Sequence, residues 1–138
     1  MAALSAHEAL IHAMVIAASA DGQVSDRELE IISRLVTRLP VFDTFERTHL
    51  GQVAAQAIDL IKDSSNLEKV LEMVLDSLPA RLHDTAYALA VEVATVDLKL
   101  EQEELRFLEL LRDKLDLDRL TTAAIETAAR ARHRRMPA

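Results

Sequence analysis

The chain has 138 residues, 50% of them hydrophobic, which suits one domain with a proper apolar core and leaves too little for a second core. With 23 acidic against 16 basic residues the net charge is −7, which disfavours nucleic acid and anionic lipid as partners. No cysteine occurs, so disulfides, thiol catalysis and cysteine zinc sites are excluded, and two Gly and three Pro amid abundant Ala, Leu, Glu, Asp and Arg predict helices with short links.

The first helix is predicted over about residues 5–20. Ser5-Ala6-His7-Glu8 is a capping box: the Ser hydroxyl accepts from the third helical N–H, and the Glu carboxylate reaches back to the Ser N–H. Leu10, Ile11, Met14, Val15 and Ala18 follow at helical spacing, and Asp21-Gly22 breaks the segment. The longest apolar run, Ala13–Ala18, is far short of the roughly 20 residues a membrane helix needs, and Met1 to Glu8 lack a basic segment followed by an apolar one. A soluble cytoplasmic domain is expected.

Ser25-Asp26-Arg27-Glu28 is a second capping box, opening a helix whose stripe Leu29, Ile32, Leu35, Val36 and Leu39 stops at Pro40. Asp43 is the predicted N-cap of a third segment through Val53, Ala54, Ala57 and Ile61, with Gly51 able to divide it into a short turn and a longer helix. Ser64-Ser65-Asn66 opens the fourth, which carries Leu67, Val70, Leu71, Val74, Leu75 and Leu78 and closes at Pro79. The fifth follows at once, with Leu82, Ala86, Leu89, Ala90 and Val93, to about Val96. The sixth carries Leu105, Leu108, Leu111 and Leu115, and the seventh starts at about Asp118. Seven amphipathic segments joined by short links predict an all-α fold, a compact helical bundle spanning residues 1–138.

Residues 18–32 align without gaps on 94–108, an internal repeat at one constant offset in which Asp21 matches Asp97 and Glu28 matches Glu104. In each copy an apolar helix ends, Asp turns the chain, Val24 or Leu100 plugs the turn into the core, and a new helix begins with Glu28 or Glu104 at the capping-box position. In the second copy Glu101 replaces Ser25 as N-cap and Leu98 replaces Gly22, so that turn is expected to differ in detail. Two such hairpins predict a pseudo-symmetric pairing around the middle helices.

The string from Ala17 to Glu28, with its degenerate partner at 94–104, resembles the tellurite-resistance TerB-like family, which also takes in the N-terminal domain of membrane-anchored DnaJ-like co-chaperones. The resemblance runs from the first helix to the seventh. It implies about seven helices with a pseudo-symmetric core, no catalytic activity, and acidic positions that take a cation. Here those metal positions are Asp21, Glu28, Asp97 and Glu104, with Lys99 beside Asp97 competing against an ion at the second turn. A calcium EF-hand does not fit, since counting from Asp21 puts Arg27, Leu29 and Ile32 at ligand positions, and counting from Asp97 puts Lys99 there.

Other chemistry is scarce. The histidines His7, His12, His49, His83 and His133 form no i, i+4 pair and are expected at the surface or at helix ends. His83 and Tyr87, one turn apart, read as a structural pair. Phe42, Phe45, Tyr87 and Phe107 are expected in the core, and the run Arg130, Arg132, His133, Arg134, Arg135 complements a helix macrodipole. No Gly-rich phosphate loop or nucleophile elbow occurs. The expectation is a non-enzymatic binding or adaptor domain of a stress-response system, needing no cofactor to fold, with a divalent cation such as calcium at the acidic turns and a protein partner. A metal-free interaction or homodimerisation module is the alternative.

Overall fold

The computed structural model describes residues 4–19, 24–63, 67–96 and 102–137, the side chains of 102–104 excepted. Among the described residues there is no strand, and the α-helices are α1 (Ala6–Ala18), α2 (Asp26–Arg38), α3 (Leu50–Asp63), α4 (Leu67–Asp76), α5 (His83–Ala94), α6 (Gln102–Leu115) and α7 (Arg119–Arg132).

The bundle is organised around α1 and α5. Every residue of α1 from Ala9 to Ala18 is buried, and α5 buries Ala86, Tyr87, Leu89, Ala90, Val91, Val93 and Ala94. These two helices are apolar nearly all round, so the amphipathic character expected of all seven segments does not hold for them: such a helix belongs inside. They pack on each other. Around them the contacts repeat: α3 lies on α1 as α7 lies on α5, α2 touches both central helices, and so does α6. The expected pseudo-symmetry is therefore present in the packing, and α4, which rests on α1, α3 and α6, has no counterpart. Lys114 of α6 ties to α4 through Glu72 at 3.1 Å, a contact that raises the lysine's pKa.

Local chemistry sets the boundaries. Ser5 Oγ accepts from the Glu8 N–H at 3.1 Å while Glu8 Oε1 accepts from the Ser5 N–H at 2.8 Å, and α1 ends at Ala18, sooner than expected. Ser25 and Glu28 repeat the same pair of bonds at the head of α2. Leu39 leaves that helix extended, as a residue before proline must. Asp43 is not an N-cap: it sits in helical backbone at the end of a 3-10 turn, Pro40–Phe42, and α3 begins only at Leu50. Burial explains the difference. Phe42 is buried and, with Phe45, flanks the His7 ring at centroid distances of 5.8 and 5.5 Å, and the His7 Nε2–H donates to the Val41 carbonyl. Those anchors outweigh the local preference of one aspartate. The break expected at Gly51 falls just before it.

The predicted start of α4 at Ser64-Ser65-Asn66 lies outside the described residues. A 3-10 turn, Ala80–Leu82, precedes α5, which therefore starts later than expected. Asp116, with φ 54°, turns the chain after α6, a left-handed position that Asp tolerates better than most residues. The seventh helix starts where expected, and Asp118 caps it, accepting from the Thr121 N–H at 3.1 Å and from its hydroxyl at 2.6 Å, bonds that hold the carboxyl below its usual pKa.

Candidate functional site

Of the four acidic positions expected to hold a cation, Asp21 and Asp97 lie outside the described residues, and so does the side chain of Glu104 in α6. Glu28 is described, and it is 4% exposed in the first turn of α2. Its Oε1 accepts from the Ser25 N–H at 2.8 Å and its own N–H donates to Ser25 Oγ at 3.1 Å. A carboxylate oxygen is the right donor for a hard cation, but an ion here would share a group already used in the cap. Among the described residues no three His, Cys, Asp or Glu side chains are grouped as metal ligands.

The histidines depart from expectation at one position. His12 is buried in the middle of α1, 2% exposed, with Nδ1–H donating to the Glu8 carbonyl at 2.8 Å, and burial lowers its pKa below 6.5. It is a core residue. His49 is exposed, whereas His7, His83 and His133 are half-buried.

Tyr87 does not pair with His83. Its hydroxyl donates to Glu126 Oε2 on α7 at 2.6 Å, and Arg112 of α6 approaches the same oxygen at 3.6 Å. Burial first, then this carboxylate, raises the phenol's pKa. The three side chains line a cleft of about 240 Å³ between α5, α6 and α7. Val91, Leu105 and Leu108 form its apolar wall, and Thr95, Glu109 and Arg130 complete the rim. A more open polar hollow shares Arg112 and Glu126 and extends to Asp116 and Arg119 at the α6–α7 turn.

A second polar hub holds the end of α7. Glu92 of α5, only 15% exposed, receives Arg132 and, at 2.7 Å, the Nε2–H of His133. Burial and the neighbouring Arg132 guanidinium lower the His133 pKa. The basic run thus has a specific partner besides the helix dipole. Glu92 was the available signal, a lone acid inside an apolar stretch from Ala88 to Ala94. Tyr87, Glu126 and Arg112 gave no such signal, because three helices bring them together.

An all-helical bundle built from two related halves is the class of protein these features define. A family model described as Tellurite resistance protein TerB matches residues 7–127, taking in both copies of the repeat. The chain belongs to the TerB family. That match does not extend to the co-chaperone domains. Searches of curated proteins and of solved structures gave no match. Among the described residues no helix is long and apolar enough to cross a membrane.

Proposed function

We propose that the chain is a non-catalytic binding or adaptor domain of a tellurite-resistance-type stress response, acting on a protein partner through its helical surface. In this reading Asp21 and Glu28, with backbone carbonyls or water, take a hard divalent cation such as calcium, and Asp97 and Glu104 form a weaker counterpart beside Lys99. The observation that carries it is the twice-repeated Asp-to-Glu spacing in a chain of the TerB family.

The completed capping box favours a second reading, in which these carboxylates only cap helices and the module works without metal. Calorimetric titration of the metal-free chain with calcium, magnesium, manganese and zinc separates the two. The variants are Asp21→Asn/Glu28→Gln and Asp97→Asn/Glu104→Gln, and Gln at position 28 can still reach back to the Ser25 N–H. Saturable heat lost in the first pair supports the cation site. Absence of heat in the parent chain assigns the carboxylates to capping.

A further inference from the structure

We infer that the cleft between α5, α6 and α7 is a docking site for an acidic peptide segment, seating one apolar side chain against Val91, Leu105 and Leu108 and a carboxylate on Arg130. This rests on reading the chain as a binding domain, but it is independent of any cation.

The two halves of the fold make the argument. Carried back through α1 and α5 without a gap, the repeat register aligns His7 with His83, Val15 with Val91 and Ala18 with Ala94. In the same register Tyr87 stands where the first half has Ile11, and Arg112 where it has Val36. Leu29 and Leu105, a matched pair, are each 41% exposed. Val36 is nevertheless 2% exposed and seals its place, while the Arg112 side chain is 40% exposed and opens the corresponding one. The fold closes this position with aliphatic groups in one half. In the other half it installs a tyrosine, an arginine and a glutamate bonded to one another, and a cavity beside them.

Size and charge define the occupant. At about 240 Å³ the cleft falls below the roughly 300–1,000 Å³ of small-molecule and cofactor pockets, and suits one side-chain anchor. The apolar wall asks for a leucine or phenylalanine. On the rim, Glu126 is already engaged by Tyr87 and Arg112, whereas exposed Arg130 makes no ion pair among the described residues and only a 3.5 Å bond to Thr127 Oγ1. Arg134 and Arg135 follow it, both exposed. The stretch from 102 to 138, which supplies α6 and α7, carries no acidic excess, so these two walls repel an acidic segment less than the net charge of the chain would. Glu109 on the α6 lip repels a carboxylate and so directs it towards α7.

The test is selection from a random dodecapeptide display library on the full folded chain, followed by fluorescence anisotropy of a labelled selected peptide. Arg130→Glu and Leu105→Asp are the variants, both at exposed positions, with thermal melting to confirm that they fold. Support is enrichment of peptides pairing Leu or Phe with neighbouring Asp or Glu, with binding weakened about tenfold or more in each variant. A chelator should leave that binding unchanged, so failure at the acidic turns and failure at the cleft are read separately. Enrichment of basic or uncharged peptides, no enrichment at all, binding indifferent to both variants, or displacement by a single-stranded DNA decamer would each overturn the assignment.

Discussion

Tyr87 is the sole tyrosine, and no tryptophan is present, so ultraviolet absorbance reads its ionisation without interference. Burial and the Glu126 carboxylate both disfavour a phenolate, and the folded chain should resist ionisation above the ordinary value of 10.0. The sign follows: the folded state holds the proton more tightly, so this contribution is complete below pH 10.0 and is lost as pH rises beyond it. An alkaline titration should show phenolate forming together with unfolding, and an independent step near the ordinary value would contradict the buried bond. In Tyr87→Phe the Glu126 carboxylate, 32% exposed, regains water, so the loss in urea denaturation should be modest, about 1–2 kcal/mol. His12 acts at the other end of the scale. Its folded pKa is lowered by burial, so the unfolded chain takes up the proton first, and stability present above pH 6.5 falls as the pH drops below it. His133 is lowered too and adds to the same window. His12→Leu should flatten the pH dependence of the melting temperature between about pH 6.5 and 5, and an unchanged profile would place the titrating group elsewhere. Neither residue announced its role in the sequence. The lone His12 sits among apolar neighbours in a helix whose start is polar, and Tyr87 finds its partner 39 residues away.

At the scale of the element, what the sequence made legible was what the chain decides within four residues. Both capping boxes form as their spacing predicts, because donor and acceptor are neighbours in the chain, and α7 starts at Asp118 as expected. The start of α3 was illegible for the opposite reason. Whether Asp43 caps a helix depends on Phe42 and Phe45 finding the His7 ring, a contact across 34 residues or more. The start of α5 is similar, since no side chain caps it and the Ala80–Leu82 turn delivers the chain. Ser5→Ala and Ser25→Ala should therefore each cost about 1 kcal/mol, the ordinary worth of an N-cap. Chemical denaturation measures the loss, and equal losses would indicate that the two boxes serve the helices alone. A much larger loss at Ser25 would mean that it also braces the buried Glu28, and through it the acidic turn. The cation site itself was legible only as a pattern, because its geometry depends on Asp21 and on Asp97, which lie outside the described residues.

For the whole molecule, the repeat explains the symmetry but not the way the halves share a core. Two copies of a helical hairpin suggest two small units side by side. Instead α1 is buried on every side, because α5 and α6 from the second half close over the faces that α2, α3 and α4 leave open. A first half cut out of the chain would expose the surface of α1 that meets α5, including some of Leu10, Ile11, Met14 and Val15, each now at 0% exposure. Burying a side chain of this kind is worth roughly 1.5–3 kcal/mol, and a few such losses approach the entire stability of about 5–15 kcal/mol typical of a domain. The fragment of residues 1–63 should accordingly be largely unfolded by circular dichroism, and the full chain should melt in one transition that coincides by far-ultraviolet dichroism and tyrosine absorbance. Two separated transitions would mean that each half holds its own core, and the central α1–α5 contact would then be an interface between domains. A single transition ties the two halves energetically, so that a ligand favouring the folded state at the second-half cleft also protects the acidic turn of the first half against unfolding.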